Sequence, residues 1–294
     1  MSAGFSELSQ LLFPDFVRYA SPEAARFLML AAGTLYFSAN AKERKLIEES
    51  VCDLLGPGED TKRVQRRVLE GITEHYFEKL FIANHPLSAV RAFLRERVSL
   101  MGLESLDEAL AAGRGAIAVT AHWGAVEFIP PVLVDRGYPL TVVLETRTPR
   151  LRRALERLVA GADVELLIAS RGDQVLAGIF DALRRGRVLL TEIDEVDAWR
   201  RRKSKTIKLF GKTLFFDHSL DLIAKRSLAP AVGIFCARSG GLRYELRCEA
   251  LAPDPLAADV AVKALERWER LTMSGPEQWY QWKKWGLMKA PTDA

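Results

Sequence analysis

Three cysteines in 294 residues leave no disulfide framework, and Cys52, Cys236 and Cys248 form no C-x-x-C pair. An odd, scattered set suits a reducing compartment, and the expected state of each is a buried small hydrophobe. No long apolar run is present either. A spanning helix needs about 20 such residues, and the longest early uncharged run, Phe27 to Ala41, has 15. The opening MSAGFSELSQ lacks a basic and an apolar region, so no secretory signal is expected. G-x-S-x-G, the Walker sequence and a G-x-G-x-x-G following a strand are all missing, which removes the usual serine-hydrolase, P-loop and dinucleotide-binding readings. There are four histidines, and none has a second histidine or cysteine at ligand spacing, so no metal site is expected.

What remains is a chain that is 49% hydrophobic and 27% charged, ordinary for a folded globular protein and long enough to bury a substantial core. Its net charge of +4 is unevenly spread. Arg200 to Lys212 (RRRKSKTIKLFGK) carries seven basic residues and no acidic one, and without them the chain stands at −3. Arg147, Arg150, Arg152, Arg153 and Arg157 form a second basic stretch against Glu156 alone. Such stretches attract phosphate on lipids, ligands or nucleic acid, or they are simply solvated surface.

The first 112 residues read as helical. Ser21-Pro22-Glu23 caps a helix to about Ala39. Lys42 to Leu55 stops at Gly56-Pro57-Gly58, Thr61 to Ile82 is amphipathic, and Ser88 to Leu100 follows. Ser105 and Glu108 make a capping box for a short helix ending at Gly113. From there short apolar runs alternate with helical patterns. Strands are predicted at Ala116–Thr120, Leu140–Leu144, Val164–Ile168, Arg187–Ile193, Ala231–Ala237 and Arg243–Cys248. Helices are predicted from about Gly124, over Leu151–Val159 and Gln174–Arg184, and over Pro255–Met273. This is the pattern of an α/β fold, a central mostly parallel sheet flanked by helices, with a helical N-terminal part. The expectation is one domain over 1–294, with the α/β core at 113–294.

The chemistry-bearing feature follows the first predicted core strand: Ala121-His122-Trp123-Gly124-Ala125-Val126-Glu127. Ligands bind beyond the carboxyl ends of strands in open α/β sheets, and His122 stands at one. Imidazole titrates near neutrality and serves as a general base. If His122 precedes the first helical turn, Glu127 can reach back to fix its tautomer. Gly124 opens the backbone N–H groups there to an oxyanion. A strand-end histidine beside an unrelated surface glutamate fits the same spacing, which leaves both readings open.

The H-x-x-x-x-E spacing after a strand resembles the glycerolipid and lipid A acyltransferase superfamily. Further pieces resemble the bacterial lipid A late acyltransferases: Gly113-Arg114-Gly115 leading into AHWGAVEF, the strand ending LLTEID at Asp194, Phe210-Gly211, and Pro276-Glu277-Gln278-Trp279 running on to Trp285. The sequence departs from the family at Ala125, where asparagine is usual, at Glu145, in the segment after Gly211, and in a shortened or absent N-terminal membrane helix.

The resemblance implies transfer of a fatty acyl group from acyl-carrier protein, or sometimes coenzyme A, to a hydroxyl of a lipid or glycolipid, without a cofactor. It implies His122 as base, Glu127 as the residue that holds it, and Arg157 and Asp194 shaping the acceptor site. Arg147 and Arg150 are phosphate-binding candidates. The implied place is the cytoplasmic face of the inner membrane, peripheral or monotopic, with no nucleic-acid partner. An acyl-thioester hydrolase and a non-catalytic lipid-binding relative are the alternatives. Trp279 is expected to pack in the core, while Trp282 and Trp285, beside Lys283 and Lys284, suit either the core or a membrane interface.

Overall fold

In a computed structural model the protein is described over residues 14–144, 156, 159–168, 173–195, 205–254, 256 and 259–290. The N-terminal part is helical as expected: α1 (Pro14–Tyr19), α2 (Pro22–Ala39), α3 (Ala41–Leu55), α4 (Glu59–Asn84) and α5 (Leu87–Arg97). Ser21 caps α2, its hydroxyl accepting from the Ala24 N–H at 3.2 Å, with Pro22 in the first turn. Strand β1 (Val98–Met101) takes residues that read as the end of a helix, because α5 stops at Arg97 and the next four residues pair with a distant strand. The expected capping box does not form. Helix α6 (Glu104–Ala111) begins one residue before Ser105, with Leu103 at its N-cap and no side-chain cap bond.

The core strands are β2 (Ala116–Thr120), β3 (Leu140–Leu144), β4 (Val164–Ile168), β5 (Val188–Glu192), β8 (Ala231–Gly240) and β9 (Arg243–Ala252). With β1 they form one seven-stranded sheet in the order β1-β9-β8-β2-β5-β3-β4. Every neighbouring pair is parallel except β8 with β9. Helices α7 (Ile129–Asp135), α8 (Asp173–Arg184), α9 (Ser219–Ser227), α10 (Val260–Ser274) and α11 (Trp285–Met288) complete the α-helices among the described residues.

Strand β2 is central and buried throughout, and its alternation divides the core. Ala116 and Ala118 face a cluster with Met29, Phe77, Phe93 and Phe128. Ile117 and Val119 face a second cluster with Ile179, Leu189, Trp268 and Trp279. Helix α4, 26 residues and therefore about 39 Å long, serves both: Val68 and Ile72 enter one cluster, Phe77 and Phe81 the other. The helical part is thereby tied to both faces of the sheet.

The basic run lies partly outside the described residues. Its remainder builds a hairpin, β6 (Lys205–Leu209) with β7 (Lys212–Phe216), in place of a solvated loop. Phe210 and Gly211 both take positive φ, 54° and 68°, the geometry of a two-residue hairpin turn whose twist matches its strands. Phe210 bears that conformation because its ring packs edge-on to Trp268 and Trp285 and its N–H donates to the Glu269 carboxylate. Cys236 and Cys248 are buried and Cys52 half-buried, all free. Burial pushes the Cys248 thiol up to about 12 and Cys236 higher still, so neither serves as a nucleophile.

Candidate active site

Parallel pairing sets Thr120 level with Glu192. The two chains leave the sheet together, which brings His122 against Asp194 two residues later. Asp194 is wholly buried and accepts three hydrogen bonds: from the His122 backbone N–H at 2.9 Å, from His122 Nδ1 at 2.9 Å and from Trp279 Nε1 at 2.7 Å. With Asp194 on Nδ1, that nitrogen carries the proton and Nε2 of the neutral ring is the basic atom. Nε2 faces Glu192 Oε2 at 3.2 Å and Glu195 Oε2 at 3.4 Å, and Lys284 Nζ holds the other oxygen of Glu195 at 3.1 Å. Burial opposes an imidazolium, but Glu192, Asp194 and Glu195 outweigh it and push the His122 pKa up to about 9.

The partner of His122 is therefore Asp194, and one expectation is corrected. Glu127 does not hold the imidazole. It lies 3.8 Å from both His75 Nε2 and Lys79 Nζ. Burial drives the His75 pKa well below its ordinary value, keeping that ring neutral, so Lys79 is the cationic neighbour of Glu127. Residues 126–128 form a single 3-10 turn before α7, and Glu127 points to α4. Asp194, no part of which is exposed, meets the site through the ring of His122. Glu192 and Glu195 reach, with Asp217, a cavity of about 290 Å³ otherwise walled mainly by apolar side chains such as Val143, Leu176, Ile179 and Ile223. Arg147, Arg150 and Arg157 lie outside the described residues.

Gly124 has a different reason for being glycine than an oxyanion site. Its N–H already donates to the Gln278 carbonyl at 2.8 Å, and the Ala125 N–H to Cys236 at 2.7 Å. Its φ is +65°, and a Cβ there would lie 2.0 Å from the Cys236 carbonyl oxygen. The residue lets the turn after His122 lie directly on β8. Arg238 of that strand fixes the turn from below: Nη2 donates to the Gly124 carbonyl at 2.8 Å, while Nε and Nη2 grip the buried Glu78 at 2.7 and 2.8 Å.

The C-terminal aromatic segment forms the back of the site. Trp279 holds Asp194, the Tyr280 N–H donates to the His122 carbonyl at 3.2 Å, and the Tyr280 ring stands edge-on to His122 and stacks on His75 at 3.4 Å. Trp282 and Trp285 are as buried as Trp279, with their indole N–H groups on the Pro276 carbonyl and Asp53. The choice left open for them resolves to the core. Sequence reading overlooked Glu192, Glu195, Tyr280 and Lys284. The available signal was three carboxylates in four residues at a strand end, Glu192, Asp194 and Glu195.

The family model of the bacterial lipid A biosynthesis acyltransferases matches residues 75–284. That span starts at the His75 ring under Tyr280 and closes on the Lys284 that holds Glu195. No curated protein gives a significant match to the chain.

Proposed function

The chain belongs to the bacterial lipid A biosynthesis acyltransferase family, and on that premise we propose that it moves a fatty acyl group from an acyl thioester to a hydroxyl of a lipid or glycolipid, with His122 as general base. Acyl-carrier protein or coenzyme A carries the acyl group. The observation that supports this most is the Asp194–His122 pair, whose basic Nε2 is directed at Glu192 and Glu195 on the wall of the largely apolar cavity. The acceptor hydroxyl gives its proton to Nε2 as its oxygen bonds to the thioester carbonyl carbon. Asp194 stabilises the imidazolium so formed. As the C–S bond breaks, the departing thiolate takes the proton from Nε2. The apolar walls suit a hydrocarbon chain.

Among the described residues no helix is long and apolar enough to cross a membrane. Helix α2 nevertheless exposes Phe27 and Leu35, 75% and 72% accessible, on the face opposite buried Met29 and Phe37. This apolar stripe is the surface we assign to the membrane, at its cytoplasmic face. Arg147, Arg150 and Arg157 are retained as phosphate-binding candidates on sequence grounds.

The test is product analysis. Purified protein incubated with an acyl-carrier-protein pool and vesicles of total membrane lipid is expected to co-sediment with the vesicles and yield an acylated lipid by mass spectrometry. Free fatty acid as the sole product would instead identify a hydrolase.

A pH profile gives a second test. The base works only when neutral, so in chelator-containing buffer the rate is expected to rise with pH toward a plateau above about 9. Replacing Glu192 with glutamine removes one of the charges that raise this pKa and shifts the rise to lower pH. A profile flat from pH 6 to 10 would remove His122 from the role. Stability has the opposite sign. The raised pKa stabilises the fold fully below the ordinary value of 6.5, and that contribution is lost as pH climbs through about 9.

A further inference from the structure

We propose that His122, Glu192 and Glu195 bind a divalent transition-metal ion of the zinc type, and that the bound ion blocks acyl transfer. Three lone-pair donors converge here: His122 Nε2, Glu192 Oε2 and Glu195 Oε2, all within 4.8 Å of one another. With the Nδ1 proton committed to Asp194, the neutral ring turns a bare nitrogen toward two carboxylates. Three acceptors so placed repel one another unless a cation lies between them. A proton on Nε2 answers that need, and so does a metal ion.

The spacing suits a small ion. Bonds of about 2.0–2.2 Å in a tetrahedron set neighbouring ligands roughly 3.3–3.6 Å apart, and Nε2 stands 3.2 and 3.4 Å from the two carboxylate oxygens. The surrounding groups are those that orient metal ligands elsewhere. A buried carboxylate holds the far nitrogen of the imidazole, the arrangement that fixes ring orientation and strengthens a histidine ligand. That carboxylate is itself held by Trp279, and Glu195 by Lys284. An imidazole with two carboxylates favours zinc, cobalt or nickel over magnesium and calcium, which prefer oxygen alone. Glu192 and Glu195 are about one-third exposed and line the cavity, so an ion has a way in. The spacing of histidines along the chain could not reveal this set, because its members are some 70 residues apart.

The ion occupies the lone pair that would accept the hydroxyl proton. The block therefore rests on the reading of His122 as base, whereas the binding does not. Titrating chelator-stripped protein with Co2+ and following visible absorption reads binding without any turnover. One saturable site is expected, from which Zn2+ displaces Co2+ and a tenfold excess of Mg2+ or Ca2+ does not. Glu192→Gln and Glu195→Gln, at partly exposed positions, are each expected to weaken binding at least tenfold, and Asp194→Asn about 10- to 100-fold. Acyl transfer should fall over the same Zn2+ range and return on adding chelator. Absence of a saturable Co2+ site, or equal affinity in the two glutamine variants, overturns the site. Binding that weakens in those variants while Zn2+ leaves acyl transfer untouched upholds the site and overturns the block, so a failure of the base reading is seen separately.

Discussion

Asp194→Asn is expected to lower acyl transfer by about 10²- to 10⁴-fold, nearly as much as His122→Ala, with little change in KM. The reason is donor arithmetic. The carboxylate accepts from the His122 N–H and Nδ1–H through one oxygen and from Trp279 Nε1–H through the other. Asparagine has one acceptor oxygen and one NH2 group. If the oxygen serves His122, the NH2 meets the indole N–H head-on. If it serves Trp279, the NH2 faces Nδ1 and forces the proton onto Nε2, which then has no lone pair for the substrate hydroxyl. The side chain is wholly buried and acts through the imidazole, so the loss is expected in kcat.

Glu127→Gln is the decisive comparison. Its carboxylate neighbours Lys79 and a neutral His75 and does not bond the imidazole, so it should cost less than Asp194→Asn. Steady-state kinetics on the three variants checks the ranking. A larger loss at Glu127 than at Asp194 would return the orienting role to the H-x-x-x-x-E glutamate.

The largest effect on stability is expected at Arg238→Met, about 3–5 kcal/mol. The guanidinium is the bidentate partner of Glu78, which is fully buried. Burial already pushes the Glu78 carboxyl up to about 7 against the pull of Arg238. Without the arginine it folds protonated. The folded variant holds that proton to higher pH than the intact protein, whose Glu78 releases it near 7, so its deficit grows as pH rises above 7 and is smaller and flat below it. Denaturant unfolding of both proteins at pH 5 and pH 9 measures this. A deficit that is the same at both values would show that Glu78 titrates alike with and without Arg238. Arg238→Met/Glu78→Leu removes both polar groups and should recover most of the loss. The same variant should lose activity, because Arg238 also holds the Gly124 carbonyl beneath the His122 turn.

Much of this architecture was legible along the chain. Ala116–Thr120, Leu140–Leu144 and Val164–Ile168 were bounded to the residue: the first is buried throughout and reads as a near-continuous apolar run, and the other two are short, mostly apolar runs set off by turns. Ser21-Pro22 marked its helix because cap chemistry is local. The misses were non-local. Val98–Met101 became a strand because β9 was there to pair with it. The Lys205–Phe216 hairpin was hidden because the charges of its solvent side masked the alternation that buries Leu209, Leu214 and Phe216. Ser105 and Glu108 had the right spacing for a cap, yet Leu103 starts the helix instead.

Placing a histidine at a strand's carboxyl end was within reach of the sequence alone, since strand boundaries and the residue after them are properties of neighbouring positions. So was kinship with an acyltransferase family, through short motifs such as Pro276 to Trp279. Which carboxylate serves that histidine was decided by tertiary structure. Glu127 is five residues away and turns to α4, while Asp194 is 72 residues away and arrives because parallel pairing sets Thr120 beside Glu192. Sequence distance measures the chain, and a proton is held by whichever group the sheet register and the surrounding core bring within hydrogen-bond reach.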